Sequence, residues 1–190
     1  MAGLYFDGVL IASAGAGRGS FNHRYAMPGE AGNSVLSDLR PVDLFPFTDG
    51  TEQDSPGRQR GGLLEATERA RSVPKIFYTY SSTEFWAQVG SLAYTTVDGA
   101  KELPLGGSSR LYFYSGTPHN PGPFPAQTTV DGSAFSNPVN YARPGWALRA
   151  LLLDLDEWVS KGYSPRHQCI LNSRASLFIA TRSVGESGAR

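Results

Sequence analysis

The segment KIFYTYSSTE, residues 75–84, joins a strand pattern to the start of a helix. Lys75 to Tyr80 is a compact run of β-branched and aromatic residues, which predicts a buried strand. The serines and threonine after it are good N-cap residues, so they predict a helix that continues through Val89. A strand that passes through a sharp turn into a helix is typical of α/β proteins.

Two further strands are predicted on either side of this segment. Tyr5 to Ser13, YFDGVLIAS, is mostly apolar and ends at the glycine-rich stretch Ala14 to Ser20. Arg110 to Tyr114, RLYFY, is followed by a loop whose Pro and Gly residues cannot continue a sheet ladder. Three short apolar strands separated by helices or long crossovers predict an α/β fold with a mainly parallel sheet.

An amphipathic helix is predicted to follow Pro144 and to run to about Lys161, because its apolar residues recur at helical spacing. These apolar residues are Leu148, Leu151, Leu152, Leu155, Trp158 and Val159. A weaker helical pattern covers Leu63 to Arg71. The rest of the chain before residue 73, and residues 123–143, are predicted to be mostly loop. The aromatic residues of the strands and of the helix after Tyr80 are expected in the core, among them Trp86.

The composition describes a globular chain with no dominant charge. Seventeen basic residues balance seventeen acidic ones, so no overall field would hold a nucleic acid or an anionic membrane surface. No run approaches the ~20 apolar residues of a membrane-spanning helix, and the first residues lack a signal-peptide pattern. The single cysteine, Cys169, leaves no internal disulfide and no cysteine-based zinc site. A neutral or small substrate is expected, and the sequence leaves the cellular compartment open.

Glu84 and His119 each lie a few residues past the carboxyl end of a predicted strand. Parallel sheets bind ligands at that edge, so we expect the two side chains to converge. A serine hydroxyl becomes a nucleophile when an imidazole takes its proton and a carboxylate orients the imidazole. Glu84 and His119 have the residue types for the last two roles. Each also has a simpler interpretation, Glu84 as a helix-capping acid and His119 as an exposed loop residue.

Several other polar residues are weaker candidates. Asp98 is an alternative acid, although the Asp-Gly pair it belongs to is typical of turns. Arg18, Asn22 and His23 follow the first strand. They either line the same crevice and bind substrate or serve only the structure of their loop.

Neither a cofactor nor a metal ion is expected. The glycine-rich stretch Ala14 to Ser20 lacks the pattern of a phosphate-binding loop. The three histidines, His23, His119 and His167, do not fall at the short spacings that metal sites favour.

Long strings of this sequence resemble a large family of uncharacterised bacterial α/β-hydrolase domain proteins, which are esterase-like by fold. The strings are Phe6 to Val9, Ala14 to Arg24, Leu44 to Asp49, Pro74 to Trp86, Leu111 to His119 and Arg149 to Val159. They are spread over roughly residues 5–162. The resemblance implies a serine hydrolase with the chain order nucleophile, acid, histidine. Glu84 then matches the acid, His119 the histidine, and the helix from Trp146 the final helix of the fold.

The resemblance also implies a serine on a nucleophile elbow that would precede Tyr5. The sequence contains no G-x-S-x-G, and the string Gly185 to Ala189, GESGA, lacks the last glycine and room for a following helix. We therefore expect residues 1–163 to be the C-terminal part of an α/β-hydrolase domain without its nucleophile, inactive by itself. Residues 164–190 no longer resemble the family and are expected to form a divergent tail, for which disorder and an altered reading frame are two interpretations.

A second interpretation is a non-enzymatic binding or assembly module. A sheet of three strands leaves an unpaired edge, which invites pairing with another chain or with a second copy. The expected partners are therefore a small ester-type molecule or, through this edge, a homodimer.

Overall fold

The computed structural model describes residues 6–17, 44–54 and 59–165. Its elements follow in the order β1 (Gly8–Ala12), β2 (Glu52–Gln53), β3 (Arg60–Gly61), α1 (Glu65–Arg69), β4 (Lys75–Ser81), α2 (Ser82–Ala87), one turn of 3₁₀ helix (Gly90–Ala93), β5 (Ser109–Tyr114), β6 (Thr129–Val130), β7 (Ser133–Ala134) and α3 (Gly145–Lys161).

A parallel sheet of three strands, β1, β4 and β5, organises the described residues. The strand order is β1-β4-β5, and β4 pairs in parallel with both neighbours. Tyr78 of β4 lies opposite Ile11 on one side and Leu111 on the other. The predicted α/β fold with a parallel sheet is confirmed, and the three strands lie where the sequence predicts them.

Both faces of the sheet are covered, as parallel sheets require. On one face, the buried ring of Phe77 packs against Trp158 of α3, with ring centroids 5.8 Å apart. On the other face, Tyr80 is buried in a cluster that includes Tyr94 and Leu111. Because side chains alternate along a strand, β4 contributes to both cores and is fixed from both sides.

Helix α3 has the predicted extent, and Gly162 in the left-handed region (φ 74°) ends it. Its buried residues are Leu151, Leu155 and Trp158. Two members of the predicted apolar stripe are not buried, since Leu152 is 55% and Val159 38% exposed. A helix on one sheet face buries a narrow stripe, and a residue next to a buried one is turned about 100° away from it. None of the helices in the described ranges is long and apolar enough to cross a membrane.

Other differences from the prediction occur where local patterns are weak. Trp86 is 77% exposed rather than in the core. Helix α2 ends before Val89, which has a positive φ of 48° and introduces the 3₁₀ turn. Two-stranded antiparallel pairs, β2 with β3 and β6 with β7, lie in stretches predicted as mostly loop. The predicted tail lies outside the described residues from position 166 onward.

Replacing Leu155 by alanine should lower the free energy of unfolding by about 2–5 kcal/mol, because it removes buried methyl groups from the contact between α3 and the sheet. The matched control is Leu153→Ala in the same helix, where the side chain is 69% exposed. That change should alter the free energy of unfolding by less than about 0.5 kcal/mol. Urea unfolding followed by circular dichroism measures both, and equal losses would contradict the assignment of the buried face.

Candidate active site

Glu84 and His119 lie beyond the carboxyl ends of two adjacent strands. Glu84 is in the first turn of α2, directly after β4, and its side chain is fully buried. His119 lies in the loop after β5, with 45% of its side chain exposed. Because β4 and β5 are parallel neighbours, the segments that follow them meet at the same edge of the sheet.

The two side chains contact each other, as the sequence predicts. His119 Nδ1 and Glu84 Oε1 are 2.5 Å apart. An ionised carboxylate can only accept, so the shared proton belongs on Nδ1 and Nε2 is left as a lone-pair acceptor. That tautomer is the one a general base needs. Within residues 6–17, 44–54 and 59–165, the imidazole ring makes no second hydrogen bond.

The second carboxylate oxygen of Glu84 takes part in the N-terminal cap of α2. The backbone N–H of Ser81 donates to Glu84 Oε2 at 2.6 Å, and the hydroxyl of Ser81 accepts from the backbone N–H of Thr83 at 3.2 Å. Together these contacts form a capping box. The capping interpretation of Glu84 and the pairing with His119 are therefore compatible, since each uses a different carboxylate oxygen.

The first turn of α2 also holds the loop that carries His119. The hydroxyl of Ser82 accepts from the backbone N–H of Gly116 at 2.8 Å, and the backbone N–H of Ser82 donates to Thr117 O at 2.9 Å. The hydroxyl of Thr83 accepts from the backbone N–H of His119 at 3.0 Å. These contacts are not among those predicted from the sequence, although the run of three hydroxyl residues before Glu84 is a signal for them.

Burial and hydrogen bonding act in opposite directions on the pKa of Glu84. Burial raises it, but the hydrogen bonds from Ser81 and His119, together with the positive charge of a protonated His119, outweigh burial and hold the pKa below its usual value. Glu84 is therefore ionised at neutral pH.

Tyr80 lies close to this carboxylate and stays protonated. Burial raises the pKa of Tyr80 above its usual value, and the negative charges of Asp49 and Glu84 raise it further. Its hydroxyl is hydrogen-bonded to Gly15 O at 3.1 Å. Tyr80 is therefore not an anion that competes with Glu84 for the imidazole.

An open cavity of about 460 Å³ lies beside the His119 loop. Its lining includes Thr83, Thr117, Pro118, Phe135 and Asn140, and the lining residues in the described part of the chain are all uncharged. This volume falls in the range of small-molecule sites, about 300–1,000 Å³. The cavity suits a neutral group that combines apolar and hydrogen-bonding parts.

Among the other predicted site residues, the structure describes only Asp98, which does not join this pair. Asp98 accepts from the hydroxyl of Thr96 and from the backbone N–H of Ala100, so it belongs to its own turn. Arg18, Asn22 and His23 lie outside the described residues, and their role in binding stays a prediction. In the part of the chain that the structure describes, no three His, Cys, Asp or Glu side chains converge as metal ligands.

The fold and the position of the pair define the class of this protein. It is an α/β protein with a parallel sheet, in which a carboxylate and a histidine lie beyond the carboxyl ends of adjacent strands. The model of a family described as "Alpha/beta hydrolase domain" matches residues 2–181, so the chain belongs to the alpha/beta hydrolase domain family. The predicted family resemblance is confirmed. No curated protein and no solved structure matches the chain. The matched range extends past residue 163, and the domain boundary there stays a prediction.

Replacing Glu84 by glutamine should make stability less dependent on pH in the acid range. A carboxyl whose folded pKa is lowered stabilises the fold above its unfolded pKa of about 4.3, and this contribution is lost as the pH falls through the folded pKa. The difference in unfolding free energy between the wild type and Glu84→Gln should therefore shrink as the pH falls from about 5 through the lowered pKa of the folded state.

Urea unfolding at several pH values measures this difference. Glu157→Gln is the control, because Glu157 forms an exposed ion pair with Lys161 in α3, worth less than about 0.5 kcal/mol. A wild-type advantage over Glu84→Gln that is the same at both ends of the pH range would show that the Glu84 carboxylate does not stabilise the fold through its charge.

Proposed function

We propose that this chain supplies the acid, Glu84, and the general base, His119, of a Ser-Glu-His triad in an esterase-like hydrolase. The observation that carries the proposal is the contact between His119 Nδ1 and a fully buried carboxylate oxygen of Glu84. Membership of the alpha/beta hydrolase domain family supports it as well. The proposed substrates are small, neutral, ester-type molecules, in keeping with the balanced charge of the chain and the uncharged cavity beside the loop.

In the proposed mechanism, His119 Nε2 takes the proton of a serine hydroxyl as the serine oxygen attacks the acyl carbon. The proton then passes to the leaving alkoxide, and an acyl-serine ester remains. A water molecule, deprotonated in the same way by Nε2, attacks this ester. The bond between the acyl carbon and the serine oxygen then breaks, the acid is released, and the proton passes from Nε2 back to the serine oxygen. Throughout, Glu84 keeps Nδ1 protonated and stabilises the imidazolium by its negative charge.

We further propose that the nucleophilic serine is missing from this chain. The sequence contains no G-x-S-x-G, the pattern that places a serine on a sharp turn between a strand and a helix. Among the described residues, no serine hydroxyl is hydrogen-bonded to His119. The hydroxyls of the two serines nearest to Glu84 in the chain are engaged elsewhere, that of Ser81 by Thr83 and that of Ser82 by Gly116.

The chain by itself should show neither stoichiometric labelling by a serine-directed fluorophosphonate nor turnover of a short-chain aryl ester. The physical reason is that a base and its orienting acid cannot form an acyl-enzyme without the nucleophile. Mass spectrometry measures the labelling, with an active serine esterase as the positive control.

Two outcomes would separate the parts of this proposal. Stoichiometric labelling that is abolished by one Ser→Ala change would show that the nucleophile is present after all. Ester turnover that is lost in His119→Ala would still support the acid–base pair, whereas turnover that survives in His119→Ala would contradict the role of His119.

An assembly role through the sheet edge is the second candidate. Among the described residues, β1 pairs with β4 alone, so its other side is open to a further strand. Ser13 N–H donates to Thr79 O, and since alternate residues of a parallel strand bond to the same neighbour, the N–H of Ala12 points to the open side. An unpaired edge of this kind can pair with a second copy of the chain.

If the chain assembles through this edge, it should be a dimer at micromolar concentration, and Ala12→Pro should convert it to a monomer. Proline removes the outward N–H and is tolerated on an edge strand. Sedimentation velocity over a hundredfold dilution measures the size, and circular dichroism checks that the variant is folded. A wild-type monomer at every concentration would exclude the homodimer.

A further inference from the structure

We propose that Ser82 and Thr83 are positioning residues for His119. Their hydroxyl groups fix the backbone of the His119 loop and so keep His119 Nδ1 on Glu84 Oε1. The catalytic meaning of this inference rests on the proposed function, but the positioning itself can be measured without turnover.

Three hydrogen bonds tie the His119 loop to the first turn of α2. They join Ser82 Oγ to Gly116 N, Ser82 N to Thr117 O, and Thr83 Oγ1 to His119 N, at 2.8, 2.9 and 3.0 Å. They bracket residues 116–119, so the backbone leading into His119 is held at its start, in its middle and at His119 itself. The direction in which the imidazole leaves the loop is thereby set by α2.

The two hydroxyls are not needed to start the helix. Ser81 is the N-cap, and its hydroxyl accepts from the backbone N–H of Thr83. The remaining cap contact comes from Glu84 to Ser81 N–H. The hydroxyls of Ser82 and Thr83 instead accept hydrogen bonds from outside the helix, which distinguishes them from capping groups.

The loop needs this support because its own contacts stop short of His119: the hydroxyl and the backbone N–H of Thr117 both donate to Tyr114 O. Gly116 lies in the left-handed region, with φ of 74°, and the His119 side chain is 45% exposed. A half-exposed imidazole on an unsupported loop would sample several rotamers, and its single contact with Glu84 would form only part of the time. With the backbone fixed, the positions of both Glu84 and His119 are set by one four-residue segment, Ser81–Glu84.

The test removes one acceptor while it keeps the shape of the side chain. Thr83→Val retains the branched volume and loses the oxygen that accepts from His119 N–H. Thr83→Ser keeps this oxygen and should rescue the effect. Thr67→Val is the matched control, because the hydroxyl of Thr67 is hydrogen-bonded to Leu64 O in another helix.

The readout is the downfield proton resonance of His119 Nδ1–H in ¹H NMR, assigned by its loss in His119→Gln. In wild type, Thr83→Ser and Thr67→Val, this proton should be visible and exchange slowly with water. In Thr83→Val its exchange rate should rise about tenfold, the factor that corresponds to the loss of one good hydrogen bond. A purely structural role for Thr83 would lower global stability and leave this exchange rate unchanged.

Each outcome decides the proposal. An unchanged resonance and exchange rate in folded Thr83→Val would overturn it, and so would the absence of the resonance from wild type. If Thr83→Val does not fold, Ser82→Ala makes the same test, because it removes the oxygen that accepts from Gly116 N–H. Fluorophosphonate labelling and ester turnover do not enter this measurement, so failure of the proposed function is distinguishable from failure of the positioning.

Discussion

A fully buried carboxylate must be surrounded by donors, and Glu84 imposes this requirement on the whole end of the sheet. An ionised carboxylate without partners in the interior would cost far more than a small domain could offset. Each oxygen of Glu84 therefore has a donor, His119 Nδ1 on Oε1 and Ser81 N–H on Oε2. The hydrogen bonds that this one carboxylate requires therefore determine both the start of α2 and the position of the loop after β5.

The central strand β4 is what allows this carboxylate to be buried at a fixed point. Phe77 on one face and Tyr80 on the other are almost inaccessible to solvent, so β4 cannot shift along or across the sheet. Glu84 lies three residues beyond the last residue of β4, Ser81, within one helical turn of it. The precision of the site therefore comes from apolar packing in two cores that contain no candidate catalytic group.

The extent to which the sequence predicts this arrangement depends on how local each feature is. Lys75–Glu84 carries its own strand and cap signals, and parallel topology then brings Glu84 and His119 to one edge. In contrast, the exposure of Trp86 and Leu152 depends on which residues pack beside α2 and α3. The periodicity of the sequence carries no information about these neighbours. The contacts of Ser82 and Thr83 depend on the path of a loop more than thirty residues away in the sequence. Only the folded chain defines that path.

The unequal burial of the pair has a chemical consequence. Glu84 is sealed from water, whereas nearly half of the His119 side chain is exposed. The lowered pKa keeps the carboxylate charged inside, where the local dielectric strengthens its attraction for an imidazolium. Of these two side chains, only the half-exposed imidazole can be reached by another molecule. That asymmetry supports the proposed role of His119 as a base toward a group that approaches from outside.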